Sequence, residues 1–292
     1  MRPSIEQAFT PPVRLGEVRL KLAELFAANG VPEAEESAKR LVCAATGWRP
    51  ISLITEPDRA LADAAVSALR EMARRRLLRE PVSRIMGREV FWGQELAISP
   101  ACLDPRPDTE CLVEACLAWL RTREHQKVRI LDVGVGSGAI LCALLSELPD
   151  AQGVGIDVSG EACLLARANL DSAGVGQRAS IKCADMRDFH EGPFDLVVSN
   201  PPYIPSKQIS LLDDEVRLYD PHLALDGGED GLDMYRVLVS AHPTWLRPGG
   251  LCAVEIGYDQ ASEVLELLGK SGLAGTVRQD LLGHDRVVFW GG

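Results

Sequence analysis

From Val128 to the end of the chain, short apolar segments alternate with segments of helical periodicity. The apolar segments have the length of buried strands, and the segments between them space their apolar residues as amphipathic helices do. This alternation predicts an α/β fold, with a mostly parallel sheet covered by helices on both faces, whose ligands bind beyond the carboxyl ends of the strands. The predicted strands are 128–133, 152–157, 179–183, 195–199, 251–256 and 287–290, and the predicted helices are 139–148, 160–170, 232–242 and 258–269.

The N-terminal part has a different pattern and is predicted to be a small helical bundle. Leu15, Val18 and Leu22 recur at helical spacing, and Asn29-Gly30 supplies a stop signal. Further helices are predicted over 33–46 and from about 58 to 79, and residues 91–98 predict a β-hairpin. We therefore expect three parts: a helical, substrate-docking domain over 1–80, a β-hairpin linker over 81–107 and the main domain over 108–292.

Charge and composition argue against several classes of function. The 292 residues carry a formal net charge of −11, which does not favour a protein that neutralises many phosphates, so no direct nucleic-acid substrate is expected. No apolar stretch reaches the length of a membrane span, and the eight cysteines form no C-x-x-C pair. We expect a cytoplasmic protein with reduced thiols, no membrane contact and no metal site. A solvated helix face explains the basic run Arg74–Arg76 with Arg79 at least as well as a docking patch.

A glycine-rich segment follows the first predicted strand of the sheet and opens a helix. Glycines at Gly134, Gly136 and Gly138 let a ligand approach the backbone closely, and the helix N-terminus favours a carboxylate or phosphate. The second strand ends at Asp157, where a carboxylate can accept hydrogen bonds from ribose hydroxyls. A dinucleotide and S-adenosylmethionine both fit these features, and Asp157 could instead cap the helix before Ser159. The loop alone does not distinguish a dinucleotide site from an S-adenosylmethionine site.

The corner Asn200-Pro201-Pro202-Tyr203 follows the strand 195–199 and does discriminate. Two prolines cannot continue a central strand, so the chain must leave the sheet at its carboxyl edge in an extended conformation. The corner presents an amide oxygen and a backbone carbonyl, which can accept both N–H groups of an –NH2 substrate, while Tyr203 can pack on its planar group. The alternative interpretation is a proline-rich exit turn without function.

Four segments together resemble the release-factor glutamine N5-methyltransferase family. The Asn-Pro-Pro-Tyr corner is similar to the motif of class I S-adenosylmethionine-dependent methyltransferases that modify amide or exocyclic amino nitrogens. Three further segments resemble this family more narrowly: Asp104–Glu110 (Asp-Pro-Arg-Pro-Asp-Thr-Glu), Ala224–Leu232, and Glu255-Ile256-Gly257. The resemblance covers the chain from about Pro81 onward. It implies a Rossmann-like methyltransferase sheet preceded by the helical bundle and the hairpin.

The resemblance also implies residue roles. Asp157 would accept from the ribose hydroxyls, and the residue after Asp185 would flank the adenine, although this chain has Met186 where many members carry an aromatic residue. A thioether can cover a ring face, so we expect adenine binding to survive. The implied catalytic residues are Asn200, Pro201, Pro202 and Tyr203, and the implied cofactor-binding residues are Gly134, Val135, Gly136, Ser137, Gly138, Asp157, Asp185, Met186 and Asn200.

The implied reaction is methyl transfer from S-adenosyl-L-methionine to the glutamine of the Gly-Gly-Gln motif in peptide chain release factors. Alternatives are a glutamine methyltransferase of a ribosomal protein, an N6-adenine nucleic-acid methyltransferase, and a binding module that only retains the cofactor fold. The net charge of −11 argues against the nucleic-acid enzyme. The glycine loop, Asp157 and Asn200 together argue against a mere binding module.

Overall fold

A computed structural model describes residues 5–121 and 127–291. The chain divides into two compact units. The first comprises Met1–Gly87 together with Asp214–Tyr219, and the second comprises Arg88–Asp213 together with Asp220–Gly292. The sequence-based division at 80 and 107 differs from these bounds, because the hairpin packs within the second unit and a short helix from the C-terminal half packs within the first. The substrate-docking role expected for residues 1–80 stays a prediction.

The first unit is a helical bundle with its own apolar core. Gly30 and Gly47, with φ of +68° and +70°, end two of its helices in the left-handed conformation that glycine adopts without steric cost. Leu22, Phe26 and Leu41 are completely buried between the helices. The helices are α1 (Ile5–Ala8), α2 (Leu15–Ala28), α3 (Ala34–Thr46), α4 (Ser52–Thr55), α5 (Asp63–Leu77), α6 (Val82–Met86) and α10 (Asp214–Tyr219).

The basic run at the end of α5 is a solvated helix face only in part, because Arg74 is 54% exposed whereas Arg76 is buried. The Arg76 guanidinium donates to the Ser37 hydroxyl at 3.0 Å and lies 2.8 Å from a carboxylate oxygen of Glu215 in α10. Arg79 donates to the carbonyls of Gly30 and Asn29. These arginines hold the helix ends together, which a charge pattern in the sequence does not reveal.

The second unit is built on a seven-stranded sheet of order β5-β4-β3-β6-β7-β9-β8, in which only β9 runs against the other strands. The α/β prediction is confirmed. The strands are β1 (Arg88–Phe91), β2 (Gln94–Ala97), β3 (Arg129–Val133), β4 (Gln152–Asp157), β5 (Ala179–Cys183), β6 (Phe194–Ser199), β7 (Leu246–Glu255), β8 (Gly275–Gln279) and β9 (Asp285–Gly291). The helices are α7 (Glu110–Leu120), α8 (Ala139–Glu147), α9 (Gly160–Ser172), α11 (Asp233–Trp245) and α12 (Ala261–Lys270). Antiparallel β1 and β2 form the predicted hairpin.

Both faces of the sheet are buried. Successive side chains of a strand point to opposite faces, so each strand contributes to both apolar clusters. Along β6, Leu196 and Val198 pack into one apolar cluster while Val197 packs into the other. Such two-sided burial explains why the central strands read as continuous apolar runs. Strand β8 was not predicted, since it is an edge strand whose residues apart from Val277 are small or polar.

The order of the strands reverses at β3, which has β4 on one side and β6 on the other. The Ser199 hydroxyl at the end of β6 donates to the Val133 carbonyl at the end of β3, at 2.7 Å. The glycine-rich loop and the Asn-Pro-Pro-Tyr corner therefore leave the sheet side by side. A reversal of this kind is where open α/β sheets bind ligands.

Within residues 5–121 and 127–291, no helix has both the length and the apolar character needed to cross a bilayer. All eight cysteines are free thiols, and five of them are buried.

Candidate active site

A cavity of about 670 Å³ opens at the carboxyl ends of β3, β4 and β6. Its volume lies in the range of small-molecule sites. It is lined by Gly134, Val135, Gly136, Ser137, Asp157, Asp185, Met186, Asn200 and Pro202 among the residues predicted from the sequence. The predicted residues Gly138, Pro201 and Tyr203 do not line it.

The glycine loop after β3 has a backbone that few other residues could adopt. Gly134, Gly136 and Gly138 have φ of +75°, +52° and +81°. A Cβ on Gly134 would meet nothing within 4 Å, so this glycine leaves the cavity open next to the backbone. A Cβ on Gly138 would lie 3.2 Å from Cα of Ala166, so that glycine permits close packing against α9 and does not face the cavity.

Asp157 joins the glycine loop to the next strand. Its Oδ2 accepts a hydrogen bond from the Gly136 N–H at 3.0 Å, and its Oδ1 accepts one from the Ser159 N–H at 2.9 Å. The cap of α9 is Ser159 itself, whose hydroxyl accepts from the Ala162 N–H at 3.2 Å. The Asp157 carboxylate therefore lines the cavity while it holds the loop.

Asp185 and Met186 extend the cavity beyond β5. The Asp185 carboxylate accepts from the Arg187 N–H at 2.8 Å and pairs with the Arg187 guanidinium at 3.1 Å, which fixes the turn. Met186 packs against the apolar cluster of one sheet face and also lines the cavity. That its thioether covers the adenine face stays a prediction.

Asn200 is held by a residue from a distant part of the chain. Its Nδ2 donates to Oγ1 of Thr109 at 3.1 Å, and Thr109 is 4% exposed. Thr109 also lies near the carboxylate of Glu255 at the end of β7 and favours its ionised form. Burial raises the pKa of Glu255 to about 7, while hydrogen bonds from Thr109 and Asn200 act in the opposite direction.

Tyr203 is partly buried and is not among the residues that line the cavity. Burial raises the pKa of its hydroxyl to about 12, and its carbonyl accepts from Nε2 of Gln260 at 2.9 Å. A Cβ on Gly231, whose φ is +79°, would lie 2.4 Å from the Tyr203 carbonyl oxygen. This close approach accounts for a glycine in the Ala224–Leu232 segment. The contact between the Tyr203 ring and a substrate stays a prediction.

The segment Asp104–Glu110 connects the corner to its surroundings. Arg106 forms an ion pair with Asp220 at 2.7 Å, and the Asp220 side chain is 0% exposed. Glu110 Oε1 accepts from the Trp92 N–H of the hairpin at 2.9 Å. Sequence reasoning used this segment only for the resemblance. The structure adds a physical role, since the segment links the hairpin, the loop at Asp220 and Asn200.

Sequence reasoning also missed Asn169, the polar residue that holds the glycine loop to the hairpin. Its Nδ2 donates to the Ser137 carbonyl at 2.9 Å, and its Oδ1 accepts from the Ala97 N–H at 2.8 Å. Asn169 is 2% exposed, beside the buried Leu170 on α9. An amide on the apolar face of a predicted helix was the signal that could have identified it.

Comparisons with known proteins agree with this geometry. Residues 17–87 match the family model described as PrmC N-terminal domain, and residues 130–221 match the one described as Methyltransferase domain. The chain is 45% identical over 275 residues to the release factor glutamine methyltransferase of Rhodospirillum rubrum, which covers 94% of this chain and 82% of that protein. It is 43% identical over 291 residues to the protein of the same name from Bradyrhizobium diazoefficiens, covering 99% and 98%.

Among solved structures, the chain is similar to a methyltransferase from Pyrococcus furiosus. The TM-score is 0.50 at 19% identity, and the match covers 68% of this chain and 89% of the other. At this level of identity the match supports the fold alone.

Proposed function

The chain belongs to the family of release factor glutamine methyltransferases, and from this premise we propose that it methylates the side-chain nitrogen (N5) of a glutamine in peptide chain release factors. The observation that carries the proposal is the presence of Asn200 and the glycine loop in one cavity. A site that only binds a nucleotide has no need of a side-chain amide at the end of β6, where Asn200 lies. An enzyme that transfers a group to an amide nitrogen needs both.

The residues of the cavity fit S-adenosylmethionine, which members of the family use. The open space beside Gly134 admits a ligand against the backbone, and the Asp157 carboxylate can accept from ribose hydroxyls. Met186 offers its thioether to an adenine face. When bound, the cofactor supplies a methyl group on a positively charged sulfur, an electrophile that needs no further activation.

The role of the corner follows from the chemistry of the acceptor. An amide nitrogen is a poor nucleophile because its lone pair is delocalised into the carbonyl. Asn200 Oδ1 can accept one of its N–H groups, which orients the nitrogen and increases its electron density. Orientation of two reactants alone can lower a barrier by roughly 7–11 kcal/mol. The Pro201 carbonyl is the proposed second acceptor, and this stays a prediction because Pro201 does not line the cavity.

Charge argues against the N6-adenine alternative. The net charge of −11 is unlike that of a protein built around many phosphate contacts. A glutamine of a ribosomal protein remains the second candidate, since the same corner would accept it. The order of preference rests on the family to which the chain belongs.

Purified chain and isotopically labelled S-adenosylmethionine provide the test. We expect label in an intact release factor, and none in a release factor whose Gly-Gly-Gln motif carries Gln→Ala. A ribosomal protein and DNA serve as the alternative acceptors. Labelling of either, with an unlabelled release factor, would contradict the proposal.

We further propose that the N-terminal helical unit supplies a second contact for the release factor. This unit has its own core and contributes no residue to the cavity lining among the positions that the structure describes. Ile51 and Ile54 expose 58% and 77% of their surface. Changing both to Asp should raise KM for the intact release factor and leave methylation of a short Gly-Gly-Gln peptide unchanged. Equal effects on protein and peptide would exclude docking.

A further inference from the structure

Glu255 lies beside the proposed acceptor site although no step of the reaction uses it. It is the last residue of β7, which pairs in parallel with β6. Because Ser199 is opposite Val254 in this register, the next residues, Asn200 and Glu255, leave the sheet at the same edge. Glu255 is 2% exposed and is not among the residues that line the cavity.

The surroundings of this carboxylate favour one arrangement of protons. An ionised carboxylate only accepts hydrogen bonds, and Thr109 and Asn200 act on Glu255 as donors that favour its ionised form. The single hydroxyl hydrogen of Thr109 is then used, and its Oγ1 accepts from Nδ2 of Asn200, at 3.1 Å. The Asn200 amide nitrogen thus faces Thr109 and Glu255. Oδ1 is therefore the atom that remains for a ligand in the cavity.

This arrangement is costly, which argues against an accidental role. Among the residues whose structure is described, none forms a hydrogen bond with Oε2 of Glu255. A buried carboxylate with an unsatisfied oxygen destabilises a fold, and a neutral glutamine of the same shape would avoid the charge. Its presence beside Asn200 is explained if a carboxylate does something there that a glutamine cannot. An amide can donate as well as accept, so a glutamine would allow the Asn200 amide to flip and exchange the positions of Oδ1 and Nδ2.

We propose that Glu255 is a positioning residue that, directly and through Thr109, fixes the Asn200 amide with Oδ1 toward the cavity. The proposal rests on the proposed function, in which Oδ1 accepts an N–H of the substrate glutamine. Thr109, which lines the cavity beside Asn200, shares the positioning role, whereas Glu255 does not line the cavity.

The arrangement requires an ionised Glu255. A protonated carboxyl group could donate to Oδ1 of Asn200 and so occupy the acceptor that the substrate needs. Since the pKa of Glu255 is raised to about 7, the rate of methyl transfer should increase with pH through that value. The other titratable groups that act on this carboxylate are Arg286, Asp108, Tyr203, Tyr235 and Cys111. The guanidinium of Arg286 favours the ionised form, and the Asp108 carboxylate opposes it.

Kinetics of the full-length chain test the positioning role. Glu255→Gln should lower kcat roughly 10- to 100-fold, comparable with the loss on removing outer-shell partners of metal ligands. KM for the release factor and the Kd of S-adenosylhomocysteine should stay unchanged, and the increase in rate near pH 7 should disappear. Glu114→Gln, which removes a 60% exposed carboxylate elsewhere in the unit, is the matched control. Thr109→Val should reproduce the loss, and Thr109→Ser should restore the rate.

A double variant separates positioning from general stability. If Glu255 acts through Asn200, Glu255→Gln should cost nothing further in an Asn200→Ala background. Losses that multiply would overturn the proposal, as would a Glu255→Gln enzyme of wild-type rate. Glu255→Gln should melt no lower than the wild type, because it removes a buried charge.

A measurement without turnover keeps this inference separate from the proposed function. The chain has three asparagines, Asn29, Asn169 and Asn200, so ¹⁵N-asparagine labelling yields a simple spectrum of side-chain amides. The Asn200 signals, assigned by their loss in Asn200→Ala, should shift with a midpoint near pH 7 and lose this shift in Glu255→Gln. Absence of the shift in the wild type overturns the inference, whatever the chain methylates. A normal shift in a chain that methylates no release factor overturns the proposed function and leaves Glu255 as the residue that orients the Asn200 amide.

Discussion

The glycine loop and the corner that carries Asn200 face the same cavity but are fixed in different ways. The loop is shaped by its backbone: three glycines at positive φ and N–H groups bound by Asp157 and by the Ile156 carbonyl. The corner is shaped by side chains, through Thr109 and Glu255. A segment that is held by its backbone depends on a few positions close in sequence. A segment that is held by side chains depends on partners from distant parts of the chain.

This difference predicts which property a substitution should change in each half of the site, the glycine loop and the Asn200 corner. Changes in the loop should affect ligand binding, because the contacts proposed for the loop are made by its main chain. Changes at the corner should affect the rate, because Asn200 is the proposed acceptor for the group that reacts. The two halves should therefore separate cleanly in equilibrium binding and single-turnover experiments.

The largest effect is expected for Asn200→Ala. Loss of one preorganised polar contact typically lowers kcat by about 10²–10³-fold, or about 2.7–4 kcal/mol. The Kd of S-adenosylhomocysteine should change little, because the loop half is intact. Calorimetry and a single-turnover assay measure the two quantities. A near-normal rate would remove Asn200 from the mechanism and end the distinction between the halves.

Next in size is the pH dependence of stability. Each half contains a buried carboxylate whose pKa burial raises to about 7, Asp132 beneath the loop and Glu255 beneath the corner. The folded protein holds these protons more tightly than the unfolded chain. The free energy of unfolding should therefore fall from about pH 4 to pH 7, by at most roughly 3–4 kcal/mol for each group. Asp132→Asn and Glu255→Gln should each flatten the profile, measured by urea unfolding at pH 5 and pH 8. Profiles parallel to the wild type would show that neither group titrates in this range.

Asp157→Ala should weaken cofactor binding by roughly 1.5–3 kcal/mol, the range for hydrogen bonds to a charged group. The loss should be equal for S-adenosylmethionine and S-adenosylhomocysteine, since both contain the ribose. Ser159→Ala is the comparison, because it removes the cap of α9 and should lower stability by about 1 kcal/mol. Unchanged affinity of Asp157→Ala for both ligands would restrict Asp157 to its hydrogen bonds with the loop and α9.

The smallest effect concerns Gly134→Ala. The left-handed conformation costs a residue with a Cβ about 1–2 kcal/mol of stability. Gly174 has φ of +73° and, like Gly134, nothing within 4 Å of a Cβ, so Gly174→Ala should cost the same stability. Only Gly134→Ala should also raise the Kd of S-adenosylhomocysteine. If both variants bind normally, the cavity does not use the space beside Gly134.

The features that could be predicted from the sequence are those held by the local backbone, and the features that could not are those held by distant side chains. The glycine loop and Asp157 were identifiable because positive φ and the end of a strand leave a local pattern. Asn200 was identifiable because two prolines force the chain out of the sheet. Thr109, Glu255 and Asn169 were not assigned a role, because their partners lie far away in the chain and meet only in the folded sheet. The buried Arg76 was misinterpreted for the same reason, since its carboxylate partner, Glu215, belongs to a distant helix.

The pairing of Arg76 with Glu215 also constrains the order of events during synthesis. The ribosome produces α5 roughly 140 residues before α10, which at roughly 5–20 residues per second is on the order of ten seconds. Throughout that interval the nascent bundle must either leave the Arg76 guanidinium in water or bury it without its carboxylate. The bundle is therefore completed only after most of the sheet has been translated. A gene fragment that ends at Gly87 encodes an incomplete bundle, although its family model ends at that residue.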